Sequence, residues 1–92
     1  MRDLRVLIFQ GTSGHFVALC LEHDFAVQAS TLEAAVVAFE KEYRARIQTA
    51  EQRGERPFQH GRRAPEEFWD RFEAAKPVSG LVEIGAQIRA AA

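Results

Sequence analysis

Residues 17–35, "VALCLEHDFAVQASTLEAA", change their hydrophobic period without a linker. The stretch opens as an apolar strand, turns at the charged corner Glu22-His23-Asp24, returns as a second strand and enters a helix near Ser30. Upstream, "LRVLIFQ" at 4–10 is rich in branched and aromatic residues, which suit a pleated surface and predict a first strand. "GTSG" at 11–14 has the composition of a hairpin loop, so the next strand begins at His15. Val17, Leu19 and Leu21 share one face of that strand, and Phe16, Ala18 and Cys20 share the other. Both faces are apolar, which predicts a central strand. "FAVQAS" at 25–30 follows the corner as its antiparallel neighbour.

From Ser30 the period becomes helical. Ser30 and Glu33 have capping-box spacing, with Thr31 as a cap one residue later. Leu32, Ala35, Val36, Phe39, Tyr43 and Ile47 recur at steps of three and four, one apolar stripe extending to about residue 52. Glu40–Arg44 and Glu42–Arg46 are i,i+4 pairs for its wet side. Gly54 suits the helix stop, and "ERPFQHGRRA" is a polar loop. Pro65 suits the first turn of a short helix, "PEEFWDRFEAA", whose Phe68, Trp69 and Phe72 would form a lid on the core. Pro77 stops it. Residues 81–88 alternate, with Val82, Ile84, Ala86 and Ile88 on one side, as in a half-buried strand suited to an edge.

The expected fold is α+β: a three-stranded antiparallel sheet covered by one long helix, plus a short second helix and a C-terminal strand. Residues 1–53 form the βββα core and residues 64–92 the short helix and strand. The three strands leave an apolar face that needs a cover, and a helix leaving the third strand supplies it. The 92 residues form one domain, because two separate cores would each be too small to fold comfortably.

The net charge of −1 argues against wholesale attraction to nucleic acid or membrane. Its distribution is uneven. Residues 41–63 carry seven Lys/Arg against three acids, whereas both flanking segments are acidic. Cys20 is the single cysteine, so no intrachain disulfide or thiol zinc set forms, in keeping with a reducing cytoplasm. The longest apolar runs, "FVALCL" and "AAVVAF", are far short of a membrane span, and "MRDLRVLIF" is too charged for a signal peptide. A cytoplasmic protein without a membrane segment is expected.

The stretch "GHFVALCLEHDFAVQASTLEAAVVAFEKEY", residues 14–43, resembles the HicB-like antitoxin domain. The resemblance rests on Gly14, Val17, Ala18, Cys20, Leu21, Glu22, Thr31, Leu32, Glu33 and Ala35, a strand with a C-x-E corner and a strand ending before Thr-Leu-Glu. It implies a partial ribonuclease-H-like fold serving as a protein-binding module, with a HicA-like RNA-cleaving toxin as the type of partner. Typical members also carry a C-terminal helix-turn-helix or ribbon-helix-helix for operator DNA. The residues after 64 are too few for a helix-turn-helix of standard build.

Catalytic chemistry finds no constellation. His23 and Asp24, as strand neighbours, point to opposite faces, so the corner reads as a solvated turn. His15 and His23 are about 26 Å apart along one strand and cannot share a metal, and nothing in the spacing requires His60 to join either. No acid lies within the first strand, so the converging carboxylates of a two-metal nuclease are missing. Cys20, between two leucines, reads as a small core residue. No catalytic residue, metal site or cofactor is expected, and the chain is read as a non-enzyme. The candidate contact residues are Arg44, Arg46, Arg53, Arg56, Arg62 and Arg63, with Phe58 and His60 among them. They read first as a solvated helix end and loop; as contacts they would serve a protein partner's acidic surface, and the alternative is a small RNA-binding protein using segment 44–63. An uncovered sheet edge favours a homodimer.

Overall fold

A computed structural model describes residues 4–59, 61–78 and 86–91. The elements are β1 (Leu4–Gln10), β2 (Phe16–Cys20), β3 (Phe25–Ala29), α1 (Leu32–Gln52), α2 (Glu66–Ala74), β4 (Lys76–Pro77) and β5 (Ala86–Ala90). The strands form one five-stranded sheet in the order β3-β2-β1-β5-β4. β1–β2, β2–β3 and β4–β5 are antiparallel, whereas β1 and β5 run parallel. Among the described residues no helix is long and apolar enough to cross a membrane.

The sheet is therefore larger and more mixed than the three-stranded antiparallel one expected. The first three strands pair as anticipated, and β5 adds beside β1, with Val6 opposite Ile88 and Ile8 opposite Ala90. The C-terminal strand is correspondingly interior, between β1 and β4, and not an edge. It occupies Ala86–Ala90, and residues 81–85 of the expected strand lie outside the described residues. The strand continues through Arg89 because that side chain lies along aromatic surface. Its guanidinium sits 4.6 Å from the Phe72 ring centroid and donates to the Phe72 carbonyl at 3.1 Å.

Two cores follow from the alternation of β1 and β2. On the front, Leu4, Val6, Ile8, Ala18, Cys20, Phe25 and Ile88 pack beneath Ala35, Val36, Phe39 and Tyr43 of α1. On the back, Leu7, Leu19 and Leu21 meet Ala64 and Phe72, with Phe68 and Trp69 partly buried against them. The aromatic lid is thus real, but it closes the face opposite α1. A two-faced apolar β2 needs this second cover.

The helix ends match their chemistry. Thr31 is the N-cap, its hydroxyl accepting from the Ala34 N–H at 3.0 Å. The cap therefore falls on Thr31 and not on Ser30, since β3 already ends at Ala29. At the other end Gly54 takes φ +69, and the N–H groups of Gly54 and Glu55 donate to the carbonyls of Glu51 and Ala50. This is a Schellman cap, which turns the chain back beside the helix.

Candidate functional site

The charged corner is a turn in which Asp24 is exposed and Glu22 and His23 are half-buried. The Glu22 carboxylate accepts from the Arg5 backbone N–H at 2.7 Å and pairs with the Arg5 guanidinium at 2.6 Å, tying the corner to β1. Asp24 adopts φ +51, a left-handed conformation that Asp tolerates, and its N–H donates to the Cys20 carbonyl. His23 stacks on Phe58, with ring centroids 4.1 Å apart and planes within 10°. Phe58 also stacks near Phe25 and Tyr43, at 5.7 and 5.5 Å. Its own backbone is left-handed, φ +61, a conformation that these ring contacts hold in place. Gly61 then passes over the corner, where an added Cβ would lie 3.5 Å from the His23 carbonyl. Ala64 donates to the Leu21 carbonyl at 2.8 Å, closing the loop against the sheet.

The loop, the corner and the last turns of α1 enclose an open cleft of about 450 Å³. Glu42, Arg46, Thr49 and Arg53 line it from one helical stripe; His23, Phe58, Glu55, Arg56 and Gly61 face them. Arg46 is held by Glu42 at 2.7 Å and lies 4.4 Å over the Phe25 ring. The guanidinium groups of Arg53 and Arg56 make no ion pair or hydrogen bond among the described residues. Burial lowers the His23 pKa below its ordinary 6.5, with the nearby Glu22 charge opposing the shift. Burial thus favours the neutral imidazole.

The six candidate arginines divide into groups. Arg46, Arg53 and Arg56 share the cleft. Arg44 lies on another flank of α1, paired with Glu40 at 3.3 Å. Arg63 pairs with Glu66 and sits 4.1 Å over Trp69, on the back of the sheet. Arg62 is exposed, and His60 lies outside the described residues. A continuous basic track is absent among the described residues, because α1 turns Arg44 away from Arg46 and the loop carries Arg63 past the sheet.

The second surface is the free side of β3, which sequence analysis indicated only as an uncovered edge. β3 ends the sheet with five residues, Phe25–Ala29, none of them charged and none proline. Phe25, Val27 and Ala29 pack toward α1, while Ala26 and Gln28 are exposed on the other face. The opposite edge, β4, is only Lys76–Pro77.

No group of three or more His, Cys, Asp or Glu among the described residues could hold a metal ion. Cys20 is fully buried, and its thiol is pushed up to about 11, chiefly by burial. A thiol in that state is a poor nucleophile at neutral pH. Against known proteins, the chain matches no family model, no curated sequence and no solved structure.

Proposed function

We propose that this chain is a non-enzymatic, cytoplasmic protein-binding module of the HicB-like antitoxin type, which takes protein partners at the β3 edge. The observation that carries the reading is that edge: a five-residue, charge-free and proline-free strand with no neighbouring strand beyond it among the described residues. Unpaired backbone N–H and C=O groups on such a strand are a template for strand addition. A small HicA-like toxin is the partner type that the sequence resemblance supplies. Without a partner, a second copy takes the edge and gives a homodimer. Antiparallel self-pairing centred on Val27 would set Ala26 against Gln28 of the second copy, with no like charges opposed.

The test is a tagged pull-down from native-host lysate, with and without ribonuclease, using the natural chain and Ala26→Lys/Gln28→Lys. A small protein recovered in stoichiometric amount under both nuclease conditions, and lost with the variant, is the expected result. RNA recovered in place of protein would overturn it.

That outcome would favour a second reading, an RNA-binding protein using segment 44–63. Its support is that Arg46, Arg53 and Arg56 converge on one cleft. Binding driven by several phosphate contacts would weaken by orders of magnitude between low and moderate salt.

A further inference from the structure

We propose that the cleft beside the charged corner is a binding site for a phosphate monoester, carried by a small metabolite or by the 5′ end of an RNA. The proposal does not depend on the β3 edge, and it makes the second reading specific by naming the group recognised. Three observations support it. Arg53 and Arg56 approach the same space from α1 and from the loop, and neither guanidinium has a partner among the described residues. A planar guanidinium is suited to bidentate contact with phosphate oxygens, so two of them facing one space can hold one dianionic group.

The framework behind them is fixed. The Schellman cap sets the departure of the loop, and the His23–Phe58 stack and the Gly61 passage hold its return. Arg53 is itself the C-cap residue of α1, and Arg56 lies between Gly54 and Phe58, both held in left-handed conformations. Little backbone ordering would therefore remain to be lost on binding, which favours affinity. The cleft is also large enough for more than a bare ion, at about 450 Å³, and His23 and Thr49 are among the residues of its wall.

One group opposes the ligand. Glu55 lines the cleft and has no ion pair among the described residues, whereas Glu42 is occupied by Arg46. Glu55 thus works against any anion in the cleft, and the two arginines must outweigh it. Replacing it should tighten binding, an effect that a merely structural loop would not show.

The experiment follows the His23 ring protons by NMR in the natural chain, at neutral pH and low salt. The probes are adenosine 5′-monophosphate, adenosine, and one short RNA with either a 5′-phosphate or a 5′-hydroxyl. Saturable shifts with the phosphorylated probes alone are expected. Arg53→Gln and Arg56→Gln should each weaken them about tenfold or more, and Glu55→Gln should strengthen them several-fold. Response to the mononucleotide as well as the RNA identifies a small-molecule site; response to phosphorylated RNA alone identifies an RNA end. Equal response to the 5′-hydroxyl RNA, or no saturable shift with any phosphorylated probe, overturns the proposal. Neither result bears on whether β3 binds protein, because the edge variant leaves the cleft residues unchanged.

Discussion

The two edges of the sheet are built on opposite lines. β4 is two residues long, Lys76 and Pro77, both exposed. A proline cannot donate to a neighbouring strand, a lysine resists burial between strands, and a two-residue edge offers little to pair with. β3 has five residues, no charge and no proline. Its inner face is anchored by α1 through Phe25, Val27 and Ala29, which keeps the strand straight and presentable. One edge is guarded, and the other is left able to accept a strand. The proposal that β3 takes protein partners rests on that contrast and not on a charged cluster.

The strongest way to break the contrast is to guard β3 as β4 is guarded. Ala26→Lys/Gln28→Lys places lysines on two exposed positions, and in the antiparallel pairing each meets a lysine of the second copy. Self-association should weaken about a hundredfold or more, read by light scattering, while circular dichroism stays unchanged. An unchanged dimer would move the interface elsewhere.

A pH change probes the strand behind β3. Cys20 pairs with Phe25 in the β2–β3 register and is buried, with a thiol pKa raised from 9.0 to about 11. The unfolded chain therefore ionises first. Its thiol's contribution to stability is complete below pH 9.0 and is lost as pH rises toward 11, about 2–3 kcal/mol in all. Urea denaturation of the natural chain and of Cys20→Ala across that window should show the loss in the first and a smaller one in the second.

Phe58→Ala should cost about 2 kcal/mol, because a half-buried ring stacked on three others leaves the start of β3. With its cover gone, His23 should titrate closer to the ordinary 6.5, followed by NMR. An unmoved His23 would mean that the stack does not shield it. The smallest effect is expected from unguarding β4. Lys76→Thr/Pro77→Val restores a donor and removes a charge, and should produce some species beyond the proposed dimer at high concentration, though a two-residue edge limits their amount.

The local signals were legible in the sequence, and the distant pairings were not. The period change at residue 30, the apolar stripe from Leu32 to Ile47 and Gly54 are short-range features, and α1 follows them from Leu32 to Gln52. The parallel match of β1 with β5 joins Leu4 to Ala86, across most of the chain, and no local pattern encodes a partner at that distance. β4 was unreadable for a related reason: two residues ending in proline have no periodicity, and Pro77 serves equally as a helix stop. At the candidate site, sequence analysis singled out the arginines but not their grouping. His23 reads as solvated in a local pattern because Phe58 lies 35 positions away, and the Schellman turn is what directs the chain back toward the imidazole.

If β3 is a strand-pairing surface, amide hydrogen exchange of the natural chain, dilute and concentrated, should register it. Outward-facing amides within Phe25–Ala29 should exchange freely in the dilute sample and become protected at high concentration, while the protection of β5, across the sheet, stays the same at both. Concentration-independent exchange along β3, with new protection on another element, would contradict it.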